Sequence, residues 1–254
     1  MNNAQELHEV FTISGIPQYT FVKPKEYSRL LMALKTPGRG IVVEGPSGIG
    51  KTTAITKAID EVAPAARVLK LSARKREDIE LIKQLSDMQP LGTVVIDDFH
   101  KLPDKEKAQI ADLMKVLADE GKSDSKVIAI GINRAGEALI HFADDLTNRL
   151  ETIPFEENPD YLVAEVLRLG EAVLKNQINI RDEIIADANG SFYLAQMLAY
   201  NTCLTHGGLA AVLRCTSARR PSASSASTNR TYLSRRAPPS VRTCGVPRGA
   251  SQGC

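Results

Sequence analysis

The sequence predicts an α/β fold built on a doubly wound parallel sheet, followed by a small helical lid. Short apolar runs alternate with helical patterns along the chain as far as Phe155. This alternation is typical of parallel strands joined by crossover helices. After Phe155 the strand patterns stop and only helical patterns follow. The length of 254 residues suits one such domain with a smaller appendage.

The first 24 residues are predicted to form a lead-in segment, and residues 25–156 the core of the domain. A helix at 25–34 is ended by Pro37 and Gly38. Strand patterns lie at 41–43, 67–71, 91–96, 126–132 and 151–155. Helical patterns lie at 53–58, 77–88, 104–120 and 135–142. The strand at 91–96 is continuously apolar, as expected of a parallel strand covered on both faces.

A helical lid is predicted at 157–213. Asn158 and Pro159 are a typical helix start. One face of the first lid helix would be formed by Leu162, Val166, Leu169 and Val173. Two shorter helices are predicted near 181–187 and 191–200.

Residues 214–254 form a basic tail whose composition differs from the rest. The tail contains eight arginines and no lysine, aspartate or glutamate, which leaves 24 basic and 30 acidic residues before it. It has few large apolar residues, so we predict that it is disordered. One interpretation is an arm that binds nucleic acid or another polyanion. The other, which we favour, is a product of translation out of frame that leaves an incomplete lid.

A phosphate loop is predicted where the sequence fits G-x-x-x-x-G-K-[ST] between a strand and a helix. Its residues are Gly45, Pro46, Ser47, Gly48, Ile49, Gly50, Lys51 and Thr52, and Thr53 continues the binding segment. The glycines allow backbone N–H groups to close around phosphate oxygens, and the helix N-terminus adds partial positive charge. Lys51 can reach the β- and γ-phosphates, and the Thr52 hydroxyl can ligate Mg²⁺. The motif therefore predicts nucleotide binding.

Two carboxylates, Asp97 and Asp98, end the apolar strand at 91–96. One acid is needed near the Mg²⁺ that Thr52 binds, and a second is needed to orient the attacking water. We assign Asp97 to the metal and Asp98 to the water. The alternative is a strand end with two solvated aspartates. The four histidines are scattered and the cysteines lack C-x-x-C spacing, so no other metal site is predicted.

The phosphate loop and the Asp97-Asp98 pair resemble the Walker A and B motifs of the AAA+ and STAND groups of P-loop ATPases. The resemblance covers roughly residues 25–200. It implies the additional-strand class with a five-stranded sheet, a helical lid, and ATP and Mg²⁺ as cofactors. It also implies a polar sensor near the γ-phosphate, for which Asn133 or Arg134 is the candidate. A helix cap beside a solvated arginine is the alternative.

The segment at 144–151 resembles the one that bears the arginine finger in AAA+ initiator-like and transposition-helper ATPases. The resemblance implies that Arg149 stabilises transition-state charge on ATP, in a neighbouring subunit. The competing interpretation is a surface arginine paired with Asp144 or Asp145.

Two departures from the AAA+ pattern point toward the STAND group. Asp98 stands where glutamate is usual, and its shorter side chain favours slow hydrolysis. No arginine begins the late lid helix, which instead resembles a STAND Gly-x-Pro segment with Phe192 in place of proline; the alternative is that Phe192 and Leu194 are core residues.

The leading hypothesis is an ATPase module whose lid movement drives a conformational switch or remodelling step, with ATP and ADP as ligands and self-association or a protein partner as output. The alternative is a DNA-associated helper ATPase of replication or transposition. A small-molecule kinase is disfavoured because the paired acids follow an extra strand. Tyr19, Phe21 and Pro24 either line an adenine pocket or pack beneath the sheet edge. No long apolar run or signal peptide is evident, so we expect no membrane association and a cytoplasmic location.

Overall fold

The computed structural model describes residues 5–64, 66–88, 90–132 and 144–206. The helix predicted at 135–142 and the basic tail at 214–254 lie outside these residues.

Five parallel strands form one sheet, in the order β2-β3-β4-β1-β5. The strands are β1 Gly40–Glu44, β2 Val68–Ser72, β3 Gly92–Asp97, β4 Ser125–Ile130 and β5 Leu150–Pro154. The predicted doubly wound five-stranded sheet is confirmed. Because all strands run the same way, their carboxyl ends share one edge, where Ser72 lies opposite Asp97 and Glu44 opposite Pro154.

Eight helices are described. They are α1 Leu7–Val10, α2 Tyr27–Lys35, α3 Lys51–Val62, α4 Arg76–Gln84, α5 Asp104–Asp119, α6 Asp160–Leu174, α7 Arg181–Ala188 and α8 Phe192–His206. Short 3-10 turns lie at Leu85–Asp87, Phe99–Lys101 and Asp144–Asn148. Helix α4 is shorter than predicted because the chain tightens into the first of these turns ahead of Pro90.

The core occupies both faces of the sheet. Side chains alternate between faces along a strand, so Val42 joins a cluster with α4 and α5, whereas Ile41 and Val43 join a cluster with α2 and α3. All three side chains are fully buried. This two-sided burial explains the continuous apolar runs of the central strands.

Helices α6, α7 and α8 form the described part of the helical lid, and the lead-in segment packs against them. The buried residues of α6 are Val163, Val166, Leu167 and Gly170. Of the predicted face, Val166 is buried, and Leu162, Leu169 and Val173 are half-buried and pack against the buried clusters of the lid and lead-in segment. The buried face also includes Gly170, on which the fully buried Phe11 lies. A Cβ added to Gly170 would come within 2.2 Å of the ring.

Lys126 connects the start of β4 to the end of α2 through hydrogen bonds. Its Nζ donates hydrogen bonds to the carbonyl oxygens of Ala33 at 3.1 Å, Thr36 at 2.5 Å and Arg39 at 3.3 Å. The side chain is nearly enclosed, with 9% exposed. Burial lowers the pKa of Lys126 to about 8, while the three carbonyl acceptors favour its charged form.

Candidate nucleotide-binding site

The phosphate loop connects β1 to α3 in a conformation that needs glycine. Gly45 has φ +144° and Gly50 has φ +99°, both in the region that L-residues with side chains rarely adopt. A Cβ on Gly45 would lie 2.1 Å from the carbonyl oxygen of Phe155. Helix α3 begins at Lys51, immediately after the loop, so its N-terminal N–H groups face the same space.

Lys51 is folded into the loop. Its Nζ donates hydrogen bonds to the carbonyl oxygens of Gly45 at 2.8 Å and Pro46 at 2.6 Å. Burial lowers the pKa of Lys51, and the carboxylates of Asp97 and Asp98 act in the opposite direction. The ammonium is therefore held among the loop's own carbonyls, close to where phosphate oxygens would bind.

The two predicted metal ligands lie side by side. The Thr52 hydroxyl, in the first turn of α3, donates to Asp97 Oδ2 at 3.1 Å. Asp97 Oδ1 accepts a hydrogen bond from the backbone N–H of Asp98 at 2.7 Å. A hydroxyl and a carboxylate at this separation provide hard oxygen donors of the kind that Mg²⁺ prefers. Thr52 and Asp97 are thus the residues that could hold the metal of a bound nucleotide.

Asp98 is paired with an arginine that sequence reasoning missed. Arg74 Nη2 donates to Asp98 Oδ1 at 2.8 Å and Nε donates to Oδ2 at 2.5 Å, a two-pronged contact. This hydrogen bonding lowers the pKa of the Asp98 carboxyl. Asp98 also has φ +55°, a left-handed backbone that few residues other than glycine adopt. The strand end is therefore held in an unusual conformation at the predicted water-orienting acid.

A cavity of about 290 Å³ adjoins these groups. It is lined by the phosphate loop and the start of α3, by residues at and just beyond the carboxyl ends of β2, β3 and β4, by the lead-in segment, and by the start of α8. Phe21 and Pro24 line it as the adenine-pocket hypothesis requires, whereas Tyr19 packs in the cluster shared by the lead-in segment and the lid.

The lid touches the phosphate loop directly. The hydroxyl of Ser191 and the backbone N–H of Tyr193 both donate to the Gly48 carbonyl, at 3.2 and 3.0 Å. Phe192 is 8% exposed and lies against Gly50, where an added Cβ would be 3.1 Å from its ring. Phe192 is thus both a core residue and a wall of the cavity.

Arg149 lies at the far end of the sheet from the phosphate loop. It precedes β5, whose Leu150 pairs with Gly40, whereas the loop follows Glu44. Five strand residues separate the two ends, or about 16 Å. Arg149 Nε donates to Asp119 Oδ1 at 2.6 Å. The side chains of Asp144 and Asp145, and all of Asn133 and Arg134, lie outside what the structure describes.

A parallel sheet, a glycine-rich loop leading into a helix, and an acid at the end of another strand define the P-loop nucleotide-binding class of α/β folds. Within that class, residues 41–155 match the model of the family "ATPase family associated with various cellular activities (AAA)". No curated protein matches the chain. Among the described residues, no helix is long and apolar enough to cross a membrane.

Several solved structures share the fold. Domain III of the replication initiation protein DnaA from Thermotoga maritima has a TM-score of 0.52 at 16% identity, over 70% of this chain and 83% of that one. The Thermotoga maritima RuvB Holliday junction branch migration motor has a TM-score of 0.54 at 16% identity, over 74% of this chain and 67% of that one. The ORC2 protein of Aeropyrum pernix has a TM-score of 0.57 at 14% identity, over 78% of this chain and 66% of that one. The family match over residues 41–155 and these structures agree on the five-stranded α/β fold of P-loop nucleotide-binding domains.

Proposed function

We propose that this chain binds ATP with Mg²⁺ and hydrolyses it, and that the cycle drives a conformational switch or remodelling step. The observation that carries the proposal is the contact between the Thr52 hydroxyl and Asp97 beside the glycine loop. A phosphate-binding loop needs a metal ligand at that position and a carboxylate facing it. The output would be self-association or binding of a protein partner.

Each proposed residue has a distinct role. Lys51 would exchange the carbonyls of Gly45 and Pro46 for phosphate oxygens, which are stronger acceptors for an ammonium. Bound Mg²⁺ would neutralise phosphate charge, with Thr52 and Asp97 as the nearby oxygen donors. Asp98 would orient the attacking water.

Asp98 supports a slow rather than a fast ATPase. Both of its carboxylate oxygens are occupied by Arg74, so a water must displace or share this contact before it can be oriented. The side chain is also one methylene shorter than the glutamate usual in AAA+ proteins. A long-lived ATP state suits a STAND-like switch, and Asn133 or Arg134 would complete the site near the γ-phosphate.

Arg149 is proposed to complete the site of a neighbouring subunit. In its own chain it lies at the opposite edge of the sheet from the phosphate loop, so an arginine finger at this position could act only between subunits. Its contact with Asp119 would have to be exchanged for phosphate.

Calorimetry and turnover measurements with Mg-ATP test the proposal on the wild type and on Lys51→Ala. The variant should bind about 10- to 100-fold more weakly, because it loses charge-assisted hydrogen bonds of roughly 1.5–3 kcal/mol. Lys35→Ala removes an exposed lysine from α2 and should bind normally. A wild type without Mg²⁺-dependent affinity for ATP or ADP would remove the proposal.

A DNA-associated helper ATPase is the second candidate. The fold is shared with a replication initiation protein and with a Holliday junction branch migration motor, and the segment around Arg149 resembles that of such ATPases. Salt-dependent DNA binding should be compared between the full chain and a chain ending at residue 213. Binding by the shorter chain would favour this function, and no binding at low salt would exclude it.

A further inference from the structure

We propose that the helical lid presets the phosphate loop for its ligand by holding two loop carbonyls, and that Asn158 is the positioning residue of this contact. The inference rests on the proposed function, since the ligand it concerns is the phosphate chain of a nucleotide.

Three lid donors meet two consecutive carbonyls of the loop. The Gly48 carbonyl accepts from the Tyr193 N–H at 3.0 Å and from the Ser191 hydroxyl at 3.2 Å. The Ile49 carbonyl accepts from Asn158 Nδ2 at 3.2 Å. The lid is therefore hydrogen-bonded to the middle of the loop, between its first glycine and Lys51.

Peptide geometry means that these hydrogen bonds also orient the N–H groups of the loop. In a planar trans peptide the C=O of one residue and the N–H of the next point in opposite directions. Carbonyls of Gly48 and Ile49 that are fixed toward the lid thus turn the N–H groups of Ile49 and Gly50 away from it. Within the described part of the chain, neither of these N–H groups has a protein acceptor. They are oriented, unpaired donors in a loop whose motif binds phosphate.

Asn158 joins the lid turn to the loop through a single buried amide. It is 4% exposed, and its Nδ2 donates to Gly190 O at 2.9 Å as well as to Ile49 O. Both neighbours are carbonyl oxygens, so the amide must present its NH₂ to them. Its Oδ1 is buried without a partner among the described residues. A buried amide that leaves its oxygen unpaired costs stability, which indicates that this position is occupied for its donor.

Gly190 allows the close approach that Asn158 needs. It has φ +75°, and an added Cβ would lie 2.7 Å from both the backbone N and O of Asn158. The turn that follows it carries Ser191, whose hydroxyl also accepts from the Leu194 N–H and so caps α8. One short stretch therefore starts α8 and holds the loop.

The coupling must act in both directions. A phosphate that accepts from the N–H groups of Ile49 and Gly50 polarises their peptide groups and strengthens the hydrogen bonds to the carbonyls of Gly48 and Ile49. By linkage, the lid contact raises phosphate affinity by the factor by which phosphate stabilises the lid contact.

Asn158→Asp is the sharpest test, because it keeps the shape and replaces the NH₂ donor with an oxygen that faces two carbonyls. We expect about tenfold weaker binding of inorganic tripolyphosphate and of Mg-ATP in calorimetry on the full chain. Asn201→Asp makes the same chemical change at an exposed position of α8 and should bind as wild type. Thermal melts of all variants separate a weakened site from a damaged fold.

Ser191 provides an independent pair of variants if Asn158→Asp does not fold. Ser191→Ala should weaken tripolyphosphate binding several-fold, whereas Ser191→Thr keeps the hydroxyl and should restore it. A cap that mattered only for stability would lower the melting temperature of the alanine variant without changing this affinity. In hydrogen exchange, tripolyphosphate should slow the Tyr193 amide in wild type and much less in Asn158→Asp.

The outcomes separate this inference from the proposed function. A wild type that binds Mg-ATP, with Asn158→Asp and Ser191→Ala binding equally well, overturns the inference and leaves the function standing. Tripolyphosphate binding that depends on Asn158, in a protein that does not bind ATP, supports the inference and overturns the function. A protein that binds neither ligand refutes both.

Discussion

Replacing Lys126 with methionine should change how the stability of the protein depends on pH. Lys126 is nearly enclosed at the start of β4 and donates to three carbonyl oxygens near the end of α2. Methionine has a similar length and no charge, so Lys126→Met removes the ionisable group with little change in volume. The variant loses the carbonyl partners but also the desolvation cost of a buried ammonium.

The sign and size follow from the lowered pKa. Burial places the pKa of Lys126 at about 8 in the folded chain, against roughly 10.4 in an unfolded one. Below about pH 8 both states hold the proton, so the cost of burying the charge is fully present and does not vary with pH. Between these values the unfolded chain binds more protons, and stability rises with pH. Relative to the variant, wild type should gain about 2.5 kcal/mol between pH 7 and pH 10.

Urea unfolding of both proteins at intervals across this range measures the difference in unfolding free energy. Lys105→Met, which removes an exposed lysine from α5, corrects for the general effect of losing one positive charge. A difference between wild type and Lys126→Met that stays constant from pH 7 to pH 10 would refute the reasoning.

Three further predictions concern the nucleotide site. Arg74→Ala should raise the pKa of Asp98, because it removes the hydrogen-bond donor that lowers this pKa. The acidic limb of the pH–rate profile should then move to higher pH, and an unmoved limb would show that Arg74 does not act on the catalytic carboxylate. Arg149→Ala should abolish hydrolysis but spare nucleotide binding, as measured by turnover and calorimetry, and unchanged turnover would remove the finger role. Gly45→Ala should lower the unfolding free energy by more than about 2 kcal/mol in urea titrations, because its Cβ would meet the Phe155 carbonyl at 2.1 Å; wild-type stability would contradict this.

The fold and the centre of the site were open to prediction because they depend on short stretches of sequence. The phosphate loop is contiguous, and its motif dictates a strand before it and a helix after it. Asp97 ends a short, continuously apolar run of a kind typical of a buried parallel strand. Parallel strands bring their carboxyl ends to one edge, so Thr52 and Asp97 are expected at the same edge once the sheet is assumed.

Arg74 could not be predicted in the same way. It follows β2 by two residues and matches no motif, and its contact with Asp98 exists only because β2 and β3 are neighbours, with Ser72 opposite Asp97. Strand order is a property of the whole sheet rather than of any segment. A polar residue just past the strand beside the acidic one is the signal that could have found it.

The fully buried positions of α6 could not all be predicted, for a similar reason. Periodicity identifies an apolar stripe but not what covers it, and Leu162 and Leu169 fit the stripe as well as Val163 and Leu167 do. The missing information was the position of Phe11, nearly 160 residues earlier in the chain. Gly170 has no side chain, and the ring of Phe11 occupies the space that a larger residue would fill on that face.

Because the ring of Phe11 packs on Gly170 of α6, a label in the lead-in segment can report the position of the lid. Ser14, three residues after Phe11, is exposed and available for a label. A fluorophore on Ser14, paired with one on Lys105 beside the sheet, would act as a ruler between lid and core. A change in energy transfer on adding nucleotide would show that the lid moves relative to the core, and an unchanged signal would show that it does not.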